Sequence, residues 1–221
     1  MGNSSKINVL QFVNWCESLV DNSSDSRIIV GICGPPAGGK STLATYTAEA
    51  INRNHPGTVA LLPQDAFHYP TSVLTAKGLV DVKGMPNTFD AELYLDKLKE
   101  VKRNVRTSVA APTFNRANLD PFESAVRVDP GVRLIITEGI HLFANITPWT
   151  DICRLCDETI YIERDWKPCR KALMQRQLRK KAMADANKHV DLVDRTNFNQ
   201  IELSKHRAHK IVRFTDWIDD S

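Results

Sequence analysis

The sequence predicts an α/β fold: a mostly parallel sheet with helices on both faces and a small lid at about 175–188. Three observations carry that reading. RIIVGICG (27–34), TVALLPQD (58–65), VRLIITEG (132–139) and ETIYIER (158–164) are continuous apolar runs of the kind that fill strands buried on both faces. Segments of helical spacing alternate with them, the rhythm expected of crossovers between parallel strands. The first run ends in glycine and proline, and a helix is expected to start near Lys40.

Residues 7–20 (INVLQFVNWCESLV) read as an amphipathic helix with Ile7, Leu10, Val13 and Val20 on one face, broken by DNSSDS. Residues 1–25 are therefore an N-terminal helical addition to a single domain spanning 26–221. The helix from Lys40 is expected to carry Leu43, Tyr46, Ala50 and Ile51 inward. The second strand ends in an acid, and DAELYLDKLKEVKR (90–103) has helical spacing at Leu93, Leu95, Leu98 and Val101. Beyond the third and fourth strands a Lys/Arg-rich helix spans 165–181, and a polar stretch runs through Lys188. A last helix lies near 191–209, and 209–214 reads as a short edge strand. No repeat, low-complexity tract or dividing linker interrupts the chain.

With 42% hydrophobic and 25% charged residues the composition is that of an ordinary soluble globular protein. A formal charge of +3 is too mild to argue for a nucleic-acid partner. No apolar run approaches the ~20 residues that span a bilayer, and MGNSSKINVLQF lacks the apolar core of a secretory signal, so a cytoplasmic protein without a membrane partner is expected. Lys6 stands where an acylation pattern starting at Gly2 would want Ser or Thr. Cys16, Cys33, Cys153, Cys156 and Cys169 form an odd set without framework spacing, which suits a reducing compartment. The lone Cys153-x-x-Cys156 reads as two thiols on one helical turn, since no second pair or His at ligand spacing accompanies it.

Gly34-Pro35-Pro36-Ala37-Gly38-Gly39-Lys40-Ser41 fits GxxxxGK[ST], placed between a buried strand and a helix as that pattern requires, which refines the expected fold to a P-loop NTPase three-layer sandwich. In such a loop backbone N–H groups surround phosphate oxygens and the helix dipole favours the anion. Gly34, Ala37, Gly38, Gly39, Lys40, Ser41 and Thr42 are the expected nucleotide-binding residues, with Lys40 on the β and γ phosphates and the Ser41 hydroxyl on Mg²⁺.

In open parallel sheets ligands collect at the carboxyl ends of the strands, so the polar residues after each apolar run are the ones to read. Asp65 suits a general base toward an acceptor hydroxyl, on the expectation that its strand lies beside the P-loop strand; a helix cap or turn former is the plainer alternative. Glu138 suits an acid that holds Mg²⁺ through water, against a solvated strand-end carboxylate. Arg170, Lys171, Arg176, Arg179, Lys180 and Lys181 cluster on one helix and its exit, which is either a solvated face or the source of a lid arginine that neutralises the transferring phosphoryl group. Arg176 is the residue chosen for that role.

These residues resemble the uridine kinase, pantothenate kinase and phosphoribulokinase superfamily of P-loop kinases, and within it the bacterial fructose-transport-system-kinase group. GPPAGGKST (34–42) resembles the group's P-loop, LPQDAFHY (62–69) the segment bearing its catalytic Asp, and KGMPNTFDAELYLDKL (83–98) its Gly-x-Pro-x-x-Phe-Asp block. APTFNRANLDP (111–121) is similar to its Pro-x-Phe-Asp-Arg segment and IITEGIHLF (135–143) to its Glu-Gly strand end; the likeness reaches Asp191, Asp194 and Asn197. It implies ATP as donor, Mg²⁺ as cofactor, Asp65 as base, an acceptor pocket near His68, Phe89, Asn115 and Arg116, and Asn197 near the adenine. Asn115 stands where many relatives have an acid, and an amide both donates and accepts where an acid only accepts, so the acceptor's hydroxyl pattern is expected to differ.

Three function classes compete. A metabolite kinase acting on a sugar, nucleoside or pantothenate-like alcohol uses every residue named. A GTP switch needs Asn-Lys-x-Asp, and Asn187-Lys188-His189-Val190 lacks the acid. A non-catalytic ATP sensor working through a partner has no chemical need for Lys40, Ser41, Asp65 and Glu138 together.

Overall fold

A computed structural model describes residues 4–23, 26–115, 120–179 and 182–216, with backbone alone for 115, 120 and 122–125. Its elements are β1 (Ser5–Ile7), α1 (Val9–Asn22), β2 (Ile28–Cys33), α2 (Lys40–Asn54), β3 (Val59–Leu61), α3 (Thr71–Ala76), α4 (Ala91–Arg103), β4 (Val109–Asn115) and β5 (Asp120–Val128). There follow β6 (Leu134–Glu138), α5 (Trp149–Leu155), β7 (Glu158–Ile162), α6 (Trp166–Leu178), α7 (Met183–His189), a π-helical turn Val190–Asp194, α8 (Arg195–Ser204) and β8 (Lys210–Phe214).

The main sheet is parallel throughout, in the order β1-β8-β7-β2-β6-β3. Side chains alternate across a strand, and that parity sorts the core into two layers. Ile29, Cys33, Ile135 and Tyr161 face α4, α5 and α8, where Tyr94, Leu98, Trp149 and Ile201 cover them. Val30, Ile32, Leu134, Ile136, Ile160 and Ile162 face α1 and α2, packed under Phe12, Val13, Leu43 and Ile51. The result is the three-layer α/β sandwich that the alternating runs predict.

Arg27 is a buried cation inside this frame: it donates to the carbonyls of Val101 (2.7 Å), Asn104 (3.0 Å), Asp129 (2.6 Å) and Val132 (2.9 Å). It ties the C-terminal end of α4 to the start of the sheet, and desolvation lowers its pKa.

Several element-level expectations are corrected. Asn8 caps α1 through a reciprocal bond pair with Gln11, which starts the helix at Val9 and buries Val9, Phe12, Val13 and Cys16; Leu10 is 61% exposed, and Ile7 belongs to β1. β1 pairs with β8, so the first residues extend the sheet as well as adding a helix. On α2 the inward face is Leu43, Ala44, Thr47, Ala48 and Ile51, with Tyr46 exposed. Asp90 caps α4 and turns Tyr94 inward in place of exposed Leu93. β8 lies between β7 and β1 and is not an edge. β4 and β5 form a separate antiparallel hairpin that the apolar-run reading does not contain.

Candidate active site

The loop from Gly34 to Gly39 joins β2 to α2. Gly39 sits at the head of α2 with φ 85°, a left-handed conformation that glycine adopts without a Cβ penalty. Asn8 and Asp90 cap α1 and α4 with side chains, whereas no side chain caps α2 and no acid lies in its first turn. Its first N–H groups are thus left to an anion. The Gly38 N–H and the buried Lys40 ammonium both donate to the Pro35 carbonyl, at 2.9 and 3.0 Å. Thr42 follows, half-buried, in the first turn.

Strand parity brings the second part in. Glu138 shares the α2 face of β6 with Leu134 and Ile136, and the Ser41 hydroxyl donates to its Oε1 at 2.8 Å. On the opposite face Thr137 donates to the Leu62 carbonyl at 2.6 Å and bonds the Tyr94 hydroxyl. Among the described residues no group of three or more His, Cys, Asp or Glu could hold a metal unaided. One hydroxyl and one carboxylate suit Mg²⁺, which keeps several waters and is completed by substrate phosphates.

Asp65 lies in a single 3₁₀ turn, Gln64–Phe67, after β3. The expectation that its strand neighbours the P-loop strand is wrong: β3 pairs with β6, and β6 separates it from β2. The three adjacent strands β2, β6 and β3 therefore deliver the loop, Glu138 and Asp65 side by side. Asp65 is 46% exposed, with Oδ1 4.0 Å from His68 Nδ1. That nitrogen lies 3.0 Å from the Asp65 carbonyl, which assigns its proton to Nδ1. The His68 ring stacks on Phe89 at 3.9 Å between centroids and faces Phe114 at 5.2 Å.

With this geometry in place the relatives become informative. No family model matches the chain. A Schizosaccharomyces pombe protein named "Putative uridine kinase" is 30% identical over 176 residues, covering 77% of this chain and 75% of that one. The chain belongs to the uridine kinase, pantothenate kinase and phosphoribulokinase superfamily of P-loop kinases. The pantothenate kinase of Bacillus velezensis is 31% identical over 65% of this chain, which spans 47% of that enzyme. Among solved structures, a Silicibacter protein described as a "putative fructose transport system kinase" superposes with a TM-score of 0.80 at 26% identity, covering 93% of this chain and 98% of the other.

Asn197 is buried on α8, and its amide donates to the Gly84 carbonyl at 3.0 Å, so its contacts tie it to the segment before Phe89 and give no support to a place beside adenine. Asn115 ends β4 with its side chain undescribed, and Arg116 lies outside the described residues. Arg176 is exposed in the last turn of α6. Arg170 is held by Asn187 (3.1 Å) and Asp191 (3.3 Å), which ties α6 to α7. Cys153 and Cys156 are unlinked, with Cys156 buried just past the end of α5. No helix among the described residues is long and apolar enough to cross a membrane.

Sequence reading missed Gln64, Phe114 and His141. The first and last were detectable as polar residues just past the apolar runs of β3 and β6. Gln64 is fully buried, and its Oε1 accepts from the His141 N–H at 2.9 Å. It packs so closely over Gly139 that a Cβ there would fall 2.0 Å from Gln64 Oε1 and 2.5 Å from Gln64 Cβ. Gly139→Ala is accordingly expected to destabilise the fold by ~1–3 kcal/mol and to lower turnover by displacing Glu138 and Asp65 together. Urea denaturation and a rate assay on the same preparation would check both.

His141 Nε2 lies 2.9 Å from the Gly84 carbonyl, so that nitrogen carries the proton. Burial, with Lys40 and His68 acting in the same direction, lowers its pKa from 6.5 to about 4. The unfolded chain therefore takes up a proton near pH 6.5 that the folded chain refuses until about pH 4, so stability is lost as pH falls through that window. At ~1.4 kcal/mol per pH unit the loss from this group is about 3 kcal/mol. Chemical denaturation of wild type and His141→Gln at both ends of the window should show a loss larger by about that amount in wild type.

Proposed function

We propose that the chain transfers the γ-phosphoryl group of ATP to a hydroxyl of a small metabolite of the sugar, nucleoside or pantothenate-like kind. The observation that carries this is the delivery of three chemically distinct parts by adjacent strand ends: the uncapped Gly34–Lys40 loop after β2, Glu138 on Ser41 at the end of β6, and half-exposed Asp65 after β3. Backbone N–H groups of Gly34, Ala37, Gly39, Ser41 and Thr42 would surround the phosphates, Gly38 would hold the loop's turn through its bond to Pro35, and Lys40 would leave the Pro35 carbonyl for them.

Ser41 and Glu138 would hold Mg²⁺, whose charge neutralises phosphate oxygens when bound. Asp65 would take the proton of the acceptor hydroxyl beside the paired rings of His68 and Phe89, and the resemblance adds Asn115 and Arg116 to the residues that would meet the acceptor. Arg176 would reach the transferring group when the segment 175–188 closes as a lid and excludes water. ADP release would be measured with and without uridine, pantothenate, D-fructose or D-glycerate. Release that depends on one of them supports the proposal; ATP binding with release indifferent to all of them would favour the sensor reading.

A further inference from the structure

Backbone pairing between β3 and β6 stops short of the carboxylates those strands carry. Leu61 pairs with Ile136, the Leu62 N–H donates to the Ile136 carbonyl at 3.0 Å, and Pro63 has no N–H to add. Asp65 thus lies past the point where the ladder ties its strand to the strand of Glu138.

Side chains continue the junction. The Thr137 hydroxyl donates to the Leu62 carbonyl at 2.6 Å and bonds the Tyr94 hydroxyl. Farther along, Gln64 Oε1 accepts from the His141 N–H at 2.9 Å. Gln64 makes that bond by packing over Gly139, where a Cβ would fall 2.5 Å from Gln64 Cβ. Gln64, Thr137 and Tyr94 are all fully buried, so water does not compete for these bonds.

Gln64 and Asp65 are neighbours in one 3₁₀ turn, where adjacent side chains diverge. Gln64 points inward and Asp65 outward. The Asp65 carboxylate accepts no hydrogen bond from a described residue, and His68 stands 4.0 Å away, so the turn sets its place. The amide of Gln64 is also costly: Nε2 has no partner among the described residues, and a buried orphan donor destabilises a fold. An apolar side chain of the same length would avoid that cost but could not accept from His141.

We propose that Gln64 is a positioning residue, which pins the turn after β3 to the chain after β6 and thereby fixes the distance between Asp65 and the metal held at Ser41 and Glu138. The inference rests on the kinase reading and adds a residue that acts through Asp65.

The test uses the full chain with aspartate labelled with carbon-13 at the side-chain carboxyl, the Asp65 signal being assigned through Asp65→Asn. The protein is saturated with a non-hydrolysable ATP analogue and Mg²⁺, and Mn²⁺ is titrated in. A paramagnetic ion broadens nearby signals with a steep dependence on distance, so the Asp65 signal should broaden in wild type. Gln64→Met keeps the length of the side chain and removes the acceptor for His141, and it should lose part of that broadening. Kinetics give a second readout, with whichever of uridine, pantothenate, D-fructose and D-glycerate supports ADP release. Gln64→Met should lower kcat ~10- to 100-fold, the scale of a small misplacement of a reacting group, and leave the ATP KM within ~2-fold. In an Asp65→Asn background the same substitution should cost no more than ~2-fold, because residues that act as a unit are not additive. Should Gln64→Met fail to fold in urea denaturation, Thr137→Val breaks the neighbouring bond and should show the same pattern, with Thr137→Ser restoring it.

Equal broadening in wild type and variant, or the same loss of rate with and without the Asp65 carboxylate, would overturn the inference and leave the kinase reading standing. An Asp65 signal that Mn²⁺ leaves sharp in wild type would remove the metal from beside the base and reject the inference with it. If none of the compounds is turned over, the broadening alone decides.

Discussion

Replacing Lys40 with alanine is expected to lower phosphoryl transfer by ~10²- to 10³-fold, the scale on which a single fixed charge-stabilising group acts in a water-poor site. The Lys40 ammonium is buried against the Pro35 carbonyl at 3.0 Å. Near-burial raises the worth of its charge toward phosphate, since the surroundings screen it less than water does. Its loss should also weaken ATP binding, because the uncapped head of α2 would then face the phosphates without a cation. The fold should persist: Lys40 projects over the loop, and the apolar face of α2 is made by Leu43, Ala44, Ala48 and Ile51. Calorimetric ATP titration with a coupled rate assay measures both effects, and wild-type affinity and rate in the variant would remove the loop from the mechanism.

Asp65→Asn is expected to cut acceptor-dependent ADP formation by ~10²- to 10⁴-fold, the usual contribution of a positioned general base. The amide keeps the shape and loses the charge and most of the basicity. ATP affinity should change little, because Asp65 sits at the end of β3, with β6 and Glu138 between it and the P-loop strand. His68 should hold its place, since it bonds the Asp65 backbone carbonyl and stacks on Phe89. A variant with undiminished acceptor-dependent turnover would exclude Asp65 as the base.

Much of the frame was legible because strands buried on both faces must be apolar at every position, as in IIVGIC and LIITE. Strand order was not. Successive apolar runs do not say which strands pair, so Asp65 was placed beside the P-loop strand when β6 intervenes. The β4–β5 hairpin escaped because Pro112 interrupts its first strand, at the register shift between Ala111 and Thr113, and proline reads as evidence against a strand. Helix faces differ at single positions: Asn8 starts α1 so that Val9 and Phe12 face inward and Leu10 does not, and Asp90 starts α4 so that Tyr94 faces inward and Leu93 does not.

The site shows the same division. The loop, Asp65 and Glu138 are legible as candidates because the chemistry proposed for them requires fixed spacing or a strand end. His141 is not legible as a site residue because a histidine within IHLF looks like core, and only the structure shows its ring bonded to the Gly84 carbonyl. Asn197 is linked to adenine by resemblance alone, and the structure shows its amide on the Gly84 carbonyl.

In the proposed reaction a phosphoryl group passes from ATP to a hydroxyl held at Asp65. Its most direct test follows oxygen-18 placed in the γ-phosphoryl group of ATP, with Mg²⁺ and uridine or pantothenate present, and reads the products by mass spectrometry. The label is expected in a phosphomonoester of the acceptor, with little in inorganic phosphate. Label found only in inorganic phosphate, formed equally fast with and without acceptor, would contradict it.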